Sequence, residues 1–456
     1  MKKVLDWSNY HDQGLGDAYA DIPKIGGDFA KAVSVCIRSG VCQEPNNRGL
    51  MCPSFRLSDD PNLSPGGRVQ ILKRLLNDSE DSLISNAALA ESLEHCVSCK
   101  GCKRECENNL DMAAIKAEYL AQQRQRGMRS WRSWLFAEFP YLLYRYPVLA
   151  TLIRLRNRSA LLAKLVAKIF KVNGSIPLPE PAKKPYRDSE AQLARNKLFE
   201  EMDCRANSVV VLVDSFTALF NPQVAHDAVD VLTAAGYLVI TVQPRIAGAS
   251  RLIDSGRSLF SQGYIERAQQ QAHGLVKVLQ PYLSRDLKIV GLEPSALLML
   301  RDEFLMMHLG EQAQLLAKQS LLFEEFLARE KHAGRFQLAL RAAATKSHVL
   351  VHGHCHQKAV GAMKSMRKAL RLIPELNFSF IEASCCGMAG SYGLEHEHAK
   401  QSLAMAEQGL LPALDAAPQS EVVCNGFSCS HQIFALRVRQ PVHLASLLAR
   451  HIKNRP

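Results

Sequence analysis

The chain has 456 residues and a mass of 50.6 kDa, more than one ordinary hydrophobic core accommodates, so we expect about three structural units. Apolar residues make up 47% and charged residues 22% of the sequence, which excludes a wholly disordered protein. Lys and Arg outnumber Asp and Glu by 56 to 44, and the resulting net charge of +12 suits an anionic partner or surface without identifying it.

The thirteen cysteines are strongly clustered along the chain. Seven lie between residues 36 and 106, five lie between residues 355 and 429, and Cys204 stands alone. The N-terminus has no apolar run after its lysines, so we expect no signal peptide, and no run of about 18 uncharged apolar residues predicts a transmembrane helix. Cysteine clusters in such a chain indicate metal binding in the cytoplasm rather than a secreted disulfide framework.

The first part of the chain shows helical periodicity and no strand pattern. We expect residues 1–30 to form an irregular arm and residues 31–127 to form a mostly helical region. Within that region, the Ser64-Pro65 pair is a helix start signal followed by apolar residues at helical spacing, and a second helix is predicted from about Asp111.

Residues 128–190 combine a basic, aromatic segment with a proline-rich linker. Between residues 131 and 171, eight basic residues accompany a single acid, Glu138. We interpret this segment as ordinary packed helices, with an interfacial membrane helix or a docking surface as the alternatives. The sequence contains no recognisable nucleic-acid-binding module, so we expect no nucleic-acid partner.

From Ser208 onward the pattern changes to strand, helix, strand. Residues 209–213 read as a buried strand, the Asn221-Pro222 pair opens a helix, and residues 237–242 read as a second strand. This order is typical of a parallel α/β unit.

The same pattern returns towards the C-terminus, which indicates an internal duplication. The aligned pairs are Ser215 with Cys355, Pro244 with Cys385, and Ala296 with Cys429. We therefore expect residues 191–330 to be a first α/β repeat without ligand cysteines. Residues 331–456 are expected to be a second repeat that carries them.

The strongest local motif is the run HCVSCKGCKREC, which contains Cys96, Cys99, Cys102 and Cys106. The spacing is that of bacterial ferredoxins, in which the first three thiolates bind one cubane iron–sulfur cluster and the fourth binds another. A structural zinc site is the alternative, although zinc sites usually pair two CxxC hairpins that lie far apart.

An earlier cysteine completes the first predicted cluster. Cys52 is followed by Pro53, as is the fourth ligand of the ferredoxin motif. The ferredoxin crossover therefore assigns Cys52 to the same [4Fe-4S] cluster as Cys96, Cys99 and Cys102.

Three cysteines remain for a second N-terminal cluster, namely Cys36, Cys42 and Cys106. They are predicted to hold either a [3Fe-4S] centre or a [4Fe-4S] centre with Ser39 or another non-cysteine ligand. The alternative is that only one cluster exists and these three residues are buried thiols.

The C-terminal group consists of Cys355, Cys385, Cys386, Cys424 and Cys429. Each follows a predicted strand, where α/β units place their binding loops. Adjacent cysteines fit a polynuclear cluster better than a single metal ion, and a redox disulfide between Cys385 and Cys386 is the alternative.

Four histidines lie near this C-terminal group, namely His352, His354, His356 and His431. With one His in each turn, we expect them at the surface or behind the ligands rather than among them. The sequence contains no GxGxxG, P-loop, HExxH or GxSxG motif, so we expect no nucleotide or hydrolase site.

Four segments together resemble a known family: VCQEPNNRGLMCPSFRLSDD, CVSCKGCKREC, ASCCGMAGSYGLEHE and CNGFSCSHQ. They are similar to the iron–sulfur part of FAD-linked D-2-hydroxyacid dehydrogenases. Relatives in this family are the glycolate oxidase iron–sulfur subunit, the C subunit of anaerobic glycerol-3-phosphate dehydrogenase and the B subunit of heterodisulfide reductase. The similarity is greatest to the fused D-lactate or D-2-hydroxyglutarate type, in which this unit follows an FAD domain.

The resemblance implies an α + α/β fold, with an N-terminal α-helical ferredoxin followed by a duplicated α/β cysteine-rich (CCG) domain. It implies metal ligands at all seven N-terminal cysteines and, in the second repeat, at Cys355, Cys385, Cys386 and Cys429. The first repeat departs from the family pattern because it lacks these cysteines. The last cysteine motif also departs from the family's CxxC, because four residues separate Cys424 from Cys429. Cys424 is therefore treated as a reserve ligand.

The resulting hypothesis is an iron–sulfur electron-transfer subunit of a flavin-linked 2-hydroxyacid dehydrogenase. Electrons are expected to pass from the FAD of a partner chain to a quinone or another acceptor, and the chain itself is expected to hold no flavin. Two other hypotheses are a heterodisulfide-reductase-like enzyme and a zinc-stapled structural protein. The location is expected to be cytoplasmic, either free or peripheral at the inner face of the membrane.

Overall fold

The computed structural model describes residues 3–10, 21–44, 49–128, 130–201, 207–248, 250–344 and 348–453. The isolated Cys204, and Ser347 at the start of the second repeat, lie outside these described residues. The other cysteines all lie within them, and each is a free thiol.

The N-terminal region is helical, as predicted, and its described part contains no strand. Its helices are α1 (Asp28–Ser34), α2 (Pro53–Ser58), α3 (Pro65–Asp78), α4 (Glu80–Ser85), α5 (Ala87–Glu94), α6 (Gly101–Glu105) and α7 (Met112–Gln125). Helix α3 begins at the predicted signal because the Ser64 side chain accepts a hydrogen bond from the Gly67 N–H at 3.0 Å. In the same way, Asp111 caps α7 by accepting from the Ala114 N–H at 3.0 Å.

The described residues 3–10 of the N-terminal arm form no helix or strand and pack against α7. Val4, Leu5 and Trp7 are buried. The Glu118 carboxylate accepts hydrogen bonds from the N–H groups of Val4 at 3.0 Å and Leu5 at 2.9 Å, and from the indole of Trp7 at 3.2 Å. These charge-assisted hydrogen bonds hold the arm in place.

The basic, aromatic segment forms three helices, α8 (Trp131–Arg145), α9 (Val148–Arg158) and α10 (Ala160–Phe170). Ordinary packing describes α8, which buries Ala137 and Leu143. It is wrong for α10, in which no residue is buried and Leu161 is 80% exposed. The proline-rich linker follows as predicted, and the next helix, α11, spans Glu190–Glu201.

The first α/β unit contains a four-stranded parallel sheet in the order β2-β1-β5-β6. Its strands are β1 (Ser208–Leu212), β2 (Leu238–Val242), β5 (Lys288–Gly291) and β6 (Ser320–Leu322), and β3 (Arg245–Ile246) pairs separately with β4 (Leu252–Ile253). Its helices are α12 (Ser215–Phe220), α13 (Pro222–Ala234), α14 (Arg257–Ser261), α15 (Ile265–Leu283), α16 (Pro294–Arg301), α17 (Glu311–Gln319) and α18 (Phe323–His332). The predicted strand–helix–strand order is therefore confirmed, with α13 connecting two parallel strands.

The second α/β unit contains a three-stranded parallel sheet in the order β8-β7-β9. Its strands are β7 (His348–Val351), β8 (Asn377–Phe380) and β9 (Glu421–Val423). Its helices are α19 (Cys355–Ala359), α20 (Met363–Leu370), α21 (Ala399–Glu407), α22 (Leu410–Ala416), α23 (Phe427–Arg437) and α24 (Leu444–His451). In the first sheet β1 lies between β2 and β5, and in the second sheet β7 lies between β8 and β9.

The chain is thus rich in helices and has small parallel sheets, the α + α/β arrangement expected from the sequence. One hydrophobic core runs from Leu72 of α3 to Val210 of β1, so the helical region and the first sheet bury apolar surface together. A second core joins Val211 on the other face of β1 to Val349 of β7. Because these cores are continuous, the loops that carry the cysteine groups are held close to one another.

Candidate metal centres

Cys52, Cys96, Cys99 and Cys102 line one buried cavity in the helical region. We call this group the middle site. The structure brings Cys52 next to the cysteine run although the two are distant in sequence. Four convergent free thiols form an all-sulfur donor set, which fits an iron–sulfur cluster.

A buried cation, Arg68, lies beside the middle site and was not singled out by the sequence. Its guanidinium donates hydrogen bonds to the Ser92 carbonyl oxygen at 2.9 Å and the Ser54 hydroxyl at 3.0 Å, and it lies 3.7 Å from the Cys52 sulfur. Burial by itself would lower the pKa of Arg68, but the nearby Cys96 and Cys52 thiolates outweigh burial and raise it. Arg68 can therefore balance the negative charge of thiolate ligands.

The loop of the middle site curves tightly around the sulfurs. Ser98 and Lys100 both have positive φ angles, 50° and 61°, which bend the backbone of this loop sharply. The Gly101 N–H lies 3.4 Å from the Cys99 sulfur. A Cβ atom on Gly101 would stand 3.0 Å from the Met51 Cα, so this close approach to the Cys52 segment favours glycine.

Cys36, Cys42 and Cys106 line a second cavity together with Ser39, and we call this group the outer site. All three cysteines are only half-buried. The Gly66 N–H lies 3.4 Å from the Cys42 sulfur, and burial raises the pKa of the Cys42 thiol. The structure therefore separates Cys106 from its neighbours in the run and places it with the earlier cysteines.

An ionic network joins the middle-site loop to the first α/β unit. Lys100 contacts Asp302 and lies 3.1 Å from Glu303, and Lys103 lies 2.6 Å from Asp302 and 2.9 Å from Asp111. Burial opposes charge on the acids, but the lysines outweigh burial at Asp302 and hold its pKa below the ordinary value. Cations inside the cysteine run thus fix the loop against the sheet unit.

The C-terminal cysteines converge at the carboxyl ends of β7, β8 and β9. Cys355 begins α19, Cys385 and Cys386 follow β8, and Cys424 and Cys429 follow β9. Cys355 is half-buried and the other four are buried. We call the five residues the inner site.

One sulfur of the inner site is surrounded by donors. Hydrogen bonds from Cys385, Cys429 and His352 lower the pKa of Cys386 well below its ordinary value. Cys424 in turn contacts Cys429 and thereby joins the group. Cys386 is therefore the thiol that most readily ionises, as a metal ligand must.

The four histidines near the inner site, His352, His354, His356 and His431, are buried. Of the two positions expected for them, the surface is therefore wrong, and the position behind the ligands stays a prediction. His352 is 1% exposed, and its ring lies with the Cys386 and Cys429 sulfurs in a group whose ligand atoms are all within 4.8 Å of one another. Burial lowers the pKa of His352, so its ring is neutral at pH 7. Its position directly after β7, which is itself buried, was the signal that could have indicated burial.

Two polar side chains, the buried Glu324 and the half-buried Lys358, connect the turns of the inner site. The Glu324 carboxylate accepts hydrogen bonds from the Gln357 amide at 2.5 Å and the Asn425 amide at 3.1 Å, which links the turns after β7 and β9. Lys358 donates to the carbonyl oxygen of Ala383, which links the turns after β7 and β8. The three turns are therefore fixed relative to one another.

The middle and inner sites are adjacent. The His356 ring donates a hydrogen bond to the Ser98 carbonyl oxygen at 3.0 Å, so the residue after Cys355 contacts the residue before Cys99. The charge of Cys355 also raises the pKa of Cys99, although burial is the larger cause. The outer and middle cavities share Pro65 in their walls. The three sites thus form a series, from the half-exposed outer site to the inner site.

The first α/β unit carries acids at the sheet edge where the second unit carries cysteines. Asp214 follows β1 and Glu293 follows β5, and both are buried. Ser215, which aligns with Cys355, donates its hydroxyl to Asp254 at 2.5 Å. Burial, assisted by Asp214, raises the pKa of Asp254 to about 6 and of Glu293 to about 7. This cluster of buried acids, Asp214, Asp254 and Glu293, was not predicted from the sequence.

Two glycines of the CCGMAG segment allow a direct prediction. Gly387 has a φ of 88°, and a Cβ there would stand 2.0 Å from the Ser402 carbonyl oxygen, whereas Gly390 has a φ of 68° and open space around its Cβ position. We expect Gly387→Ala to cost about 3 kcal/mol of unfolding free energy and to expose the inner-site thiols, and Gly390→Ala to cost about 1 kcal/mol. Chemical unfolding and thiol labelling measure both, and equal costs would contradict the close packing.

His398 gives a pH-dependent prediction. Its ring nitrogens lie 3.3 Å from the carboxylates of Glu94 and Glu395, and the ring stacks on Tyr392 with centroids 4.0 Å apart. Burial disfavours the charged ring, but the hydrogen bonds to Glu395 and Glu94 outweigh burial and raise the pKa of His398 to about 9. The stabilisation is therefore complete below about pH 6.5, the unfolded value, and is lost as the pH rises through 9.

We expect His398→Gln to lower the unfolding free energy by about 2 kcal/mol at pH 6 and to have little effect at pH 10. The matched control is the exposed neighbour His396, for which His396→Gln is expected to have little effect at either pH. Chemical unfolding at the two pH values is the measurement. A loss from His398→Gln that is equally large at both values would contradict the charged pair.

The comparisons with known proteins agree with this cysteine chemistry. Residues 32–110 match a family model described as a 4Fe-4S dicluster domain. That range contains the cysteines of both the outer and the middle site. Among solved structures, none matches the chain significantly.

Three relatives illustrate the similarity to curated proteins. D-2-hydroxyglutarate dehydrogenase of Escherichia coli (strain K12) is 23% identical over 455 residues, covering 89% of this chain and 42% of that protein. The protein of the same name from Pseudomonas putida is 23% identical over 456 residues, covering 91% of this chain and 43% of that protein. The C subunit of anaerobic glycerol-3-phosphate dehydrogenase of Escherichia coli (strain K12) is 26% identical over 263 residues, covering 57% of this chain and 61% of that protein.

The chain thus spans about two fifths of the length of its D-2-hydroxyglutarate dehydrogenase relatives, 42% in the first case. The family model and the relatives confirm the resemblance inferred from the motifs. The chain is similar over residues 32–110 to a 4Fe-4S dicluster domain, and it is similar to D-2-hydroxyglutarate dehydrogenases and to the C subunit of anaerobic glycerol-3-phosphate dehydrogenase.

Proposed function

We propose that the chain is the iron–sulfur electron-transfer subunit of a flavin-linked 2-hydroxyacid dehydrogenase of the glycolate, D-lactate or D-2-hydroxyglutarate type. It would receive electrons from the FAD of a partner chain and deliver them to a quinone or another acceptor. The observation that carries this proposal is the series of three adjacent cysteine sites, from the half-exposed outer site to the inner site. Iron–sulfur clusters, when bound, accept and release single electrons.

The proposed ligands are the cysteines of the three sites. We assign Cys52, Cys96, Cys99 and Cys102 to a [4Fe-4S] cluster at the middle site, which the dicluster match supports. Cys36, Cys42 and Cys106 would hold the second N-terminal cluster, either a [3Fe-4S] centre or a [4Fe-4S] centre with a non-cysteine ligand. At the inner site we propose a further cluster on Cys355, Cys385, Cys386 and Cys429, with Cys424 in reserve.

The two α/β units are, in this proposal, copies of one CCG domain. The first three strands of the larger sheet, in the order β2-β1-β5, correspond to the order β8-β7-β9 of the smaller sheet. The domain boundaries we propose are an arm at 1–30, a helical ferredoxin at 31–127, a basic helical segment and linker at 128–190, a first repeat at 191–330 and a second repeat at 331–456. The first copy holds acids in place of cysteines, so only the second would bind a cluster.

We propose that the flavin lies on a separate FAD chain. The D-2-hydroxyglutarate dehydrogenases extend well beyond the matched region, since the chain covers 42% of one of them. Oxidation of the hydroxyacid would take place on that FAD chain. The outer site is the natural docking point for it, since its cysteines are half-buried and Ile37 beside them is 64% exposed.

Co-purification tests the proposal directly. We expect the chain, isolated anaerobically from its native cells, to carry with it a chain that contains FAD. Addition of a D-2-hydroxyacid to this complex should bleach the visible absorbance of the iron–sulfur chain. A chain that oxidises the hydroxyacid alone, or a complex whose absorbance does not respond to any D-2-hydroxyacid, would contradict the proposal.

Peripheral attachment to an anionic membrane is a further part of the proposal. No helix in the described part of the chain is both long and apolar enough to span a bilayer. Helix α10, however, exposes Leu161, Leu165 and Ile169 along one face and flanks that face with the exposed Lys164 and Lys168. Exposed aliphatic side chains flanked by lysines are typical of helices that lie in the lipid interface.

We expect the chain to sediment with phosphatidylglycerol vesicles and not with phosphatidylcholine vesicles, because lysines attract anionic headgroups. The double variant Leu161→Asp/Leu165→Asp should bind at least about tenfold more weakly, since it places charge on the inserted face. The matched control is Leu193→Asp/Leu198→Asp on α11, where the leucines are 54% and 42% exposed. Equal losses in the two double variants would contradict a specific role for α10.

A further inference from the structure

A large cavity lies where the helical region and the two α/β units meet. Ser98 of the middle-site loop and Cys355 of the inner site both line it, together with residues of α8, α12 and α23. It therefore adjoins the end of the series that lies farthest from the half-exposed outer site. Whatever occupies this cavity sits next to the inner-site sulfurs.

One wall of the cavity is aromatic. Phe139 of α8, Phe216 and Phe220 of α12, and Phe427 of α23 all line it, and each is half-buried. The ring centroids of Phe220 and Phe427 are 4.6 Å apart, those of Phe216 and Phe427 are 5.3 Å apart, and those of Phe139 and Phe220 are 6.3 Å apart. Such a wall offers a flat ring an offset-stacked or edge-on contact.

The cations that line the cavity are already engaged in the described structure. Lys100 pairs with Asp302 and Glu303, and Arg257 pairs with Glu303 at 2.7 Å. Lys116 donates to the Cys96 carbonyl oxygen at 2.6 Å. A carboxylate substrate such as a hydroxyacid would need a cation that has no other partner, so the cavity suits an uncharged molecule better.

A buried acid lies at the aromatic wall. The Glu293 carboxylate accepts hydrogen bonds from the Phe427 N–H at 2.6 Å and the Ser295 hydroxyl at 2.7 Å, which fix it in place. Burial, with a contribution from Asp214, raises the pKa of Glu293 to about 7. The residue can therefore hold a proton at neutral pH and donate it to an oxygen atom at the edge of a ring.

We propose that this cavity binds the electron acceptor and that the acceptor is a quinone, with its ring on the Phe216–Phe220–Phe427 wall and one oxygen towards Glu293. The inference rests on the proposed function and adds the site and chemical class of the acceptor. Reduction of the quinone to the hydroquinone consumes two electrons, which originate on the reduced flavin of the partner chain. It also consumes two protons, one from the Glu293 carboxyl group and one from solvent, and solvent then reprotonates Glu293.

The site can be tested by binding before any turnover is measured. Equilibrium dialysis of the intact, anaerobically purified protein against menadione should show one bound molecule, and Phe220→Ala should weaken binding about tenfold because it removes the stacking ring. The matched control is Phe434→Ala, since Phe434 lies on the same helix as Phe427 but is 38% exposed and is not among the residues that line this cavity. Menadione affinity that is unchanged in Phe220→Ala, or weakened equally in both variants, would overturn the assignment.

A photoreactive azidoquinone provides an independent readout. We expect it to label the peptides that contain Phe216 and Phe427, and labelling confined to other peptides would overturn the site. Glu293→Gln, whose amide can donate a hydrogen bond but cannot transfer a proton, should slow the reduction of bound menadione by the dithionite-reduced protein about 100-fold. Reduction at the wild-type rate would overturn the role of Glu293.

Failure of the site and failure of the proposed function give different results. A protein that accepts electrons from its flavin partner but neither binds menadione nor is labelled would overturn the quinone site and leave the electron-transfer function intact. A protein that binds menadione at the Phe220 wall but is not reduced by any flavin chain would overturn the function and leave the binding site intact.

Discussion

A Cys52→Ala variant is expected to lose about four iron atoms and about four inorganic sulfides per chain, the same loss as a Cys99→Ala variant. The reason is that Cys52 and Cys99 line the same cavity although they belong to different cysteine groups of the sequence. Cys106→Ala should instead match Cys36→Ala, because Cys106 lines the outer cavity with Cys36.

Iron and sulfide analysis of anaerobically purified variants measures the loss, and electron paramagnetic resonance identifies which signal disappears. The matched control is Cys204→Ala, which is expected to retain full iron because Cys204 stands apart from the cysteine clusters in the sequence. A Cys52→Ala variant that loses the same signal as Cys36→Ala would contradict the crossed arrangement of ligands. Retention of full iron in both Cys52→Ala and Cys99→Ala would contradict the middle site itself.

Asp302→Ala is expected to lower the unfolding free energy by about 3 kcal/mol, because it leaves the buried Lys100 and its neighbour Lys103 short of a counter-charge. The matched control is Asp81→Ala, which removes an ion pair with Arg126 at a side chain that is 91% exposed. That exposed pair should be worth at most about 1 kcal/mol. Equal effects in the two variants would contradict the network as the connection between the loop and the sheet unit.

The same network makes stability sensitive to acid. Lys100 and Lys103 hold the pKa of Asp302 below its ordinary value, against the opposing effect of burial. An acid whose pKa is lowered by folding contributes stability that is present above its unfolded pKa of about 3.9. That stability is lost as the pH falls below this value. Chemical unfolding from pH 6 down to pH 3 should therefore show a steeper loss for the native chain than for Asp302→Ala.

Local patterns predicted the parts of the fold that depend on neighbours in sequence. The Ser64 cap, the helix at Asp111 and the strand–helix–strand order after Ser208 are confirmed because caps, periodicity and turn residues act within a few positions. The convergence of Cys96, Cys99 and Cys102 is similarly local, because the spacing of the run brings these three sulfurs together.

The features that the sequence did not indicate depend on distant contacts. Arg68 balances thiolates that come from two separate segments, and nothing near it in the sequence marks it as a buried cation. Glu118 binds the N–H group of Val4, which lies 114 residues away along the chain. The burial of His352 and the exposure of α10 likewise depend on which surfaces other elements cover.

Iron and acid-labile sulfide, measured in the chain purified without oxygen, test the central claim most directly. We expect a brown protein that contains the two elements in comparable amounts, at least about seven of each per chain, because the middle site accounts for about four and the outer site for at least about three. A colourless protein that contains zinc and no sulfide would contradict the claim that these cysteines hold iron for electron transfer.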